Sequence, residues 1–320
     1  MASNSRRVLV TGGSGLLGRQ VVSEFAAHAW TVTGLAFSRI SGDLRKVDLR
    51  DLAAVQAVLA DAKPEVVVHA AAERRPDVVE KQADATEALN VTATRQLASE
   101  CASRGIYLVY ISTDYVFDGT QPPYHCDAKP NPLNSYGRSK LAGEEAVRET
   151  ANLRGCILRV PVLYGTVETL DESAVTVLLK TVLSKKDGSK VNHVQRRYPT
   201  HVNDVAVVCR NLADRSLAGP GGGSSAGGEE AAPSGSTATL HTYHWAGNEM
   251  LTKYDMAIAM ADEFGLETGH LVADTAADTS AVPRPHDCQL DCSAIEALGM
   301  SARTPFRRGI SAALATFVPK

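Results

Sequence analysis

Tyr136 and Lys140 stand four residues apart in the run Tyr-Gly-Arg-Ser-Lys, and Thr113 lies 23 positions before the tyrosine. On a helix, positions i and i+4 share one face. The spacing predicts the Lys140 ammonium beside the Tyr136 phenol, where a cation favours phenolate and lowers the tyrosine from its usual pKa of about 10. Such a phenol exchanges a proton with a carbonyl or alcohol while a hydride moves to or from a nicotinamide ring. Thr113, or Ser112 beside it, would hydrogen-bond the same oxygen. Tyr-x-x-x-Lys by itself is common, so the chemistry needs a dinucleotide site elsewhere in the chain.

Residues 7–18, RVLVTGGSGLLG, supply one. An apolar run enters a loop in which Gly12, Gly15 and Gly18 recur every third residue, followed by the helical pattern Leu17, Val21, Val22, Phe25. Gly12 allows the turn, Gly15 lets backbone approach a pyrophosphate, and Gly18 lets the helix pack on the strand. The helix N-terminus then presents unpaired N–H groups and its positive dipole end to the phosphates. The second apolar run ends in Phe37-Ser38-Arg39 with no acidic residue for a ribose hydroxyl. Arg39 and Ser38 instead suit a 2′-phosphate, which favours NADP over NAD. Asp48 and Leu49 follow a short third strand and are expected at the adenine edge. Small residues from Ala70 to Ala72, after His69, would let ribose and pyrophosphate lie on the backbone.

These residues need a frame that collects strand ends. Apolar runs at 8–10, 31–36, 65–69, 107–112 and 156–160 alternate with helical patterns at about 16–28, 51–62, 84–104 and 138–150. That alternation predicts an α/β, Rossmann-type doubly wound parallel sheet, which binds ligands at its carboxyl edge. Residues 1–165 are expected to form mainly the NADP-binding domain, and 166–320 mainly a smaller C-terminal substrate lobe, with the chain crossing back. A net charge of −3 and a pI near 6.3 give no basic field for nucleic acid or a membrane surface. No apolar run approaches the roughly 18 residues of a span, and no signal segment is evident. The six cysteines are scattered; Cys288 and Cys292 lack a second Cys/His pair, so no metal site is expected. Reduced thiols in a cytoplasmic protein follow.

With these residues in place the sequence resembles the extended short-chain dehydrogenase/reductase superfamily over nearly its whole length. Ser112-Thr113-Asp114-Tyr115-Val116-Phe117-Asp118-Gly119 is similar to the dTDP-4-dehydrorhamnose reductase group. The runs AAERRPDVVE (71–80), ESAVTV (172–177), RYPTHVNDVA (197–206), TKYDMA (252–257), QLDCS (289–293) and RTPF (303–306) resemble the regulatory β subunits of methionine adenosyltransferase. Glu73-Arg74-Arg75-Pro76-Asp77 is a feature of those subunits rather than of sugar reductases. The resemblance implies NADP contacts from Ser14, Gly15, Leu16 and Leu17, from Phe37, Ser38 and Arg39, and from Arg74 and Tyr136. It also implies a methionine adenosyltransferase catalytic subunit as partner. Two departures stand out. The chain starts almost at its first strand, and it stops at Phe317-Val318-Pro319-Lys320, where the animal β subunits continue into a basic, aromatic tail that enters the catalytic subunit.

Residues 218–238 are almost entirely Gly, Ala, Ser, Pro, Thr and Glu, foreign to both families. Such a stretch cannot bury enough apolar surface to offset its ordering entropy and is expected to be a disordered surface insertion. Arg197 and Arg284 are candidates to clamp a substrate diphosphate, or alternatively to pair with a structural carboxylate such as Asp204. His201 reads as a packing or capping residue, and Tyr243 and Trp245 as packing first and a ligand platform second. Two functions follow. One is an NADP-binding regulatory subunit that modulates S-adenosylmethionine synthesis; the other is an NADP-dependent reductase of a 4-keto nucleotide sugar. The resemblance favours the first, and Thr113, Tyr136 and Lys140 suit the second.

Overall fold

Alternation within the first strand sets up the whole architecture. In β1 (Arg7–Thr11) Val8 and Val10 face one apolar core while Leu9 faces another. A strand buried on both faces needs helices on both sides, the condition of a parallel sheet. The computed structural model describes residues 5–218, 240–276 and 281–318; the Gly/Ser-rich run therefore lies almost wholly outside the described residues.

The chain continues through α1 (Leu16–Ala27), β2 (Thr31–Ala36), β3 (Arg45–Lys46), α2 (Leu52–Ala62) and β4 (Val66–His69). Two short helices follow, α3 (Pro76–Lys81) and α4 (Ala83–Glu87), and then α5 (Ala93–Ser103), β5 (Tyr107–Thr113) and α6 (Ser135–Arg148). Next come β6 (Gly155–Val160), β7 (Leu163–Tyr164), α7 (Leu178–Ser184), β8 (Ser189–Asn192), β9 (Thr200–His201) and α8 (Val202–Ala218). The last elements are β10 (Leu240–His244), α9 (Lys253–Phe264), β11 (Leu271–Asp274), α10 (Ser293–Glu296) and α11 (Phe306–Leu314). Seven parallel strands pair in the order β10-β6-β5-β4-β1-β2-β3. Order reverses beside β1, so ligands are expected at the carboxyl ends of β1 and its neighbours.

One face is covered by α1 and α8, which pack on each other through residues such as Phe25, Val205 and Cys209. The other is covered by α2, α5 and α6, with Leu59, Leu97 and Val147 in its core. A third core joins α7, α9 and α11 through Leu179, Met260 and Ile310. This smaller lobe carries parallel β8–β11 and β7–β9 pairs. After β9 the chain returns to the main sheet through α8 and β10.

Local chemistry ends the helices where the sequence permits. Asp51 accepts from the Ala54 N–H at 3.1 Å to start α2, and Asn134 accepts from Gly137 at 2.9 Å to start α6. The helical pattern at 84–104 is interrupted by one wide π-type turn over Ala88–Thr92. Such turns insert a residue and re-aim side chains. Here the turn sinks Asn90 completely. Among the described residues no helix is long and apolar enough to cross a membrane.

Candidate functional site

The site is assembled at the carboxyl edge of β1, β2, β4 and β5. Gly12 takes φ +69°, and a Cβ there would stand 3.0 Å from the Ala71 Cα and 3.2 Å from the Ala70 carbonyl carbon. The small residues after β4 and the first glycine thus make one close approach. A Cβ on Gly18 would fall 2.0 Å from the Gly12 carbonyl oxygen, so α1 docks onto the turn only because that side chain is absent. Gly15 caps α1 with no side-chain acceptor, which leaves the first-turn N–H groups for an anion. Leu16 and Leu17 bury their side chains in the core while their backbone opens α1 beside Ser14.

Beneath this loop is a closed polar relay. Thr94 Oγ1 donates to the Asn90 carbonyl at 2.9 Å, so it accepts from His69 Nε2 at 3.0 Å. His69 Nδ1 then accepts from Thr11 Oγ1 at 2.7 Å, and that oxygen accepts the Ala71 N–H at 3.2 Å. The relay is complete with a neutral imidazole. Burial agrees, lowering the His69 pKa to about 3. Asn90 does further work on its amide side. It accepts the Glu73 N–H at 2.9 Å and donates to the Glu73 carbonyl at 3.0 Å and to Ser139 Oγ at 3.1 Å. The Glu-Arg-Arg-Pro-Asp segment is thereby fixed to α6, and Glu73 pairs with Arg75 at 2.9 Å while Arg74 projects elsewhere.

At the end of β2, Phe37 is 54 % exposed and the Arg50 guanidinium stacks 5.3 Å from its ring centre. Asp48 holds Arg50 at 2.7 Å, and that pairing lowers the carboxyl below its usual range. Asp48, expected at the adenine edge, therefore spends its carboxylate on positioning Arg50; Leu49 turns into the core. Ser38 is exposed. Arg39 reaches Glu172 and Glu168, the latter at 3.1 Å, and Arg19 reaches Glu172 at 2.6 Å. Arg74 donates to the Glu172 carbonyl at 2.5 Å.

The Tyr136 phenol lies within hydrogen-bond reach of Thr113, with the tyrosine ring edge-on to Tyr115 at 6.0 Å. The expected role of Lys140 needs correction. Its Nζ donates to Tyr110 Oη at 2.7 Å and lies 4.1 Å over that ring, under the sheet edge. Burial lowers Lys140 from 10.5 to about 7, with Glu144 opposing. Tyr136 is correspondingly not lowered: burial raises its phenol well above 10, nearby Asp114 adds to this, and Thr113 and Arg74 oppose it. Ser112 is also taken, donating to Glu144 at 2.6 Å. Thr113 donates to Asp114 at 3.0 Å and accepts from the Tyr115 N–H at 3.2 Å. Asp114, buried behind it, is raised to about 6 by desolvation, against Arg197.

Arg197 is not paired with Asp204; it lies near the buried Asp114 carboxylate, whose pKa it lowers, and its hydrogen bonds go elsewhere. Its guanidinium is 6 % exposed and donates to the Arg196 and Pro285 carbonyls at 2.7 and 3.0 Å and to Gln195 at 2.9 Å. A buried charge must find acceptors, and carbonyls supply them here. Asp204 instead accepts twice from Thr304 at 2.7 Å. Arg284 reaches toward Asp77 at 3.6 Å, beside the Tyr115 side of the site. His201 packs edge-on against Tyr164, and Trp245 is buried in the main core with Tyr243 packed against it. Five cysteines are buried and Cys126 is half-buried.

Sequence reasoning missed Arg19, Asn90, Asp114 and Glu172 as parts of this site. Arg19 had a local signal, a cation directly after the third loop glycine. The donor set, loop N–H groups with Arg19, Arg39 and Arg74, fits a polyanionic dinucleotide.

A seven-stranded parallel sheet, a three-glycine turn and a Thr/Tyr/Lys set at its edge define an extended short-chain dehydrogenase/reductase fold. The chain belongs to the RmlD substrate binding domain family, whose pattern matches residues 6–318. It is 49 % identical over 314 residues to methionine adenosyltransferase 2 subunit beta of Mus musculus, covering 98 % of this chain and 89 % of the relative. A dTDP-4-keto-6-deoxy-D-glucose reductase of Streptomyces niveus is 39 % identical over 160 residues, covering 50 % of this chain and 53 % of that one. The crystal structure of a dTDP-4-dehydrorhamnose reductase from Bacillus anthracis str. Ames in complex with NADP superposes with a TM-score of 0.79 at 25 % identity, covering 97 % of this chain and 99 % of that one.

Proposed function

We propose that this chain binds NADP(H) and acts in the cytoplasm as a regulatory partner of a methionine adenosyltransferase catalytic subunit, modulating S-adenosylmethionine synthesis. The observation that carries the reading is 49 % identity to the mouse β subunit across nearly the full length of both chains. In this reading residues 1–165 supply most of the cofactor-binding unit and 166–320 most of the smaller lobe. The α1 N–H groups hold the pyrophosphate, Ser38 and Arg39 the 2′-phosphate, and Phe37, backed by Arg50, offers a face to the adenine. Arg74 and Tyr136 serve the nicotinamide half. When bound, NADP(H) supplies a hydride donor or acceptor. The Tyr136 phenol is protonated at neutral pH, and the Lys140 ammonium that would assist its proton transfer lies on Tyr110.

A second reading, an NADP-dependent reductase of a 4-keto nucleotide sugar, is favoured by the placement of Thr113 beside Tyr136 and by the partial match to the Streptomyces reductase. Tyr136→Phe separates the two. In a regulatory subunit the variant keeps its effect on the synthetase. In a reductase it loses a proton donor worth ~10²–10⁴ in rate. NADPH oxidation with 4-keto nucleotide sugars, and synthetase kinetics with added chain, are measured for both proteins. Wild-type turnover that collapses in the variant, with no effect on the synthetase, refutes the regulatory reading.

A further inference from the structure

Three arginines from three separate elements meet at one acidic residue. Arg19, in the first turn of α1, donates to the two Glu172 carboxylate oxygens at 3.2 and 2.6 Å. Arg39, just past β2, donates to the same carboxylate. Arg74, after β4, donates to the Glu172 carbonyl. Arg19 also holds the Ser14 carbonyl in the glycine loop at 2.8 Å, so the cluster sits at the mouth of that loop. Glu172 is 8 % exposed, and its second oxygen accepts the Glu168 N–H at 3.0 Å. With so many donors its pKa falls to about 2, so it is ionised at neutral pH.

A carboxylate held by guanidinium groups makes the contacts that a phosphate would make there. The arginines concerned lie between the glycine loop and the end of β2, where the anionic groups of a dinucleotide would be read. Two cations at such a place repel each other unless an anion sits between them. We propose that Glu172 is a built-in substitute for the cofactor's 2′-phosphate, exchanged for it when NADP(H) enters, so that the strength of this internal contact sets cofactor affinity and choice. The inference rests on the reading that the site takes NADP(H). A phosphate dianion competes with the buried Glu172 carboxylate and the exposed Glu168 beside it, whereas the ribose hydroxyl of NAD does not. Exchange therefore accompanies NADP and not NAD. On release the Glu168 N–H loses its acceptor, while Arg74 on the Glu172 carbonyl and Thr176 Oγ1 on the Leu170 carbonyl at 2.8 Å still tether the turn, so the loosening stays local to 168–172.

Calorimetry on the full chain with NADP+, NAD+ and 2′,5′-ADP, for wild type and Glu172→Gln, tests the exchange. The variant is expected to bind NADP+ and 2′,5′-ADP about fivefold to tenfold more tightly and NAD+ within about twofold of wild type. Unchanged or weaker NADP+ binding in the variant overturns the inference, since Glu172 would then be positioning the arginines for the phosphate. Hydrogen exchange on the wild-type chain needs no variant. Peptides across 166–173 should exchange faster with saturating NADP+ and not with NAD+, and protection by NADP+ overturns the exchange. If wild type and variant both fail to bind NADP+, the cofactor reading falls as well; if wild type binds and the variant is merely unchanged, only this inference falls.

Discussion

Replacing Lys140 by methionine should stabilise the protein at neutral pH. The ammonium is 4 % exposed, and among its hydrogen bonds only that to Tyr110 Oη is made by Nζ. Burial lowers its pKa from 10.5 to about 7. At about 1.4 kcal/mol per tenfold change in proton affinity, that fall corresponds to a penalty of about 4–5 kcal/mol for carrying the charge into the fold. The lost hydrogen bond and ring contact return about 1–2 kcal/mol. Methionine has similar length and no charge, so a net gain of about 2 kcal/mol at pH 6–7 is expected. The sign follows from linkage. Between pH 7 and 10.5 the unfolded chain binds the proton that the folded chain has released, so wild-type stability from this group rises with pH across that window. The advantage of Lys140→Met is therefore largest below pH 7 and shrinks toward pH 10.5. Urea unfolding at pH 6, 7.5 and 9 measures it. A variant less stable than wild type at pH 6, or an advantage that grows with pH, would refute the assignment of a strained, desolvated ammonium.

Three further outcomes are expected. NADP(H) should bind more tightly than NAD(H), and Arg39→Ala should remove most of that difference; calorimetry giving equal affinities in wild type contradicts it. Asn90→Ala deletes contacts to both Glu73 backbone groups and Ser139, should cost about 2–4 kcal/mol of stability, and should weaken NADP binding through Arg74, read by thermal melting and titration together. Deleting 219–237 should leave melting temperature and NADP affinity nearly unchanged. Arg154 donates to the Ser216 carbonyl at 3.1 Å and its neighbour Gly155 pairs with Leu240, so the flanking ends lie beside the same dipeptide. A drop of more than a few degrees would show that the segment packs.

What was legible in the sequence was what short-range rules control. The apolar runs and the glycine spacing each act within a few residues, and β1, β2, β4, β5 and β6 lie where those signals put them, while α6 starts at Ser135, three residues before the expected 138. The candidate site was legible only in part. Arg39 and Glu172 are 133 positions apart, and no local pattern announces that a turn in the smaller lobe will reach the glycine loop. Lys140 follows its i+4 geometry, yet the direction of its side chain is decided by Tyr110 on the neighbouring strand. Arg197 stays open between a diphosphate clamp and a structural carboxylate pair, because nothing in sequence shows that the Pro285 carbonyl will accept from it. The π-type turn at Asn90 hides inside an ordinary helical period, since one inserted residue shifts the phase without changing composition.

The Glu144–Arg159 pair has a consequence for how the sheet is put together. Both side chains are buried, bonded at 2.8 and 2.7 Å, and Arg159 lies opposite Ser112 in the β5–β6 register. Were β6 to slide by one position, Arg159 would turn to the opposite face and leave Glu144 with Ser112 as its remaining buried donor. Breaking a buried pair costs up to roughly 3–5 kcal/mol, less here because Arg148 stays 3.6 Å from Glu144, and still more than one ladder hydrogen bond. The pair thus acts as a spelling check on assembly, tolerating the correct pairing and rejecting the near-miss that hydrophobic pattern alone would nearly accept. Replacing both residues by leucine and methionine should then leave the chain folded but prone to misregistered refolding, visible as added slow phases that the native chain lacks.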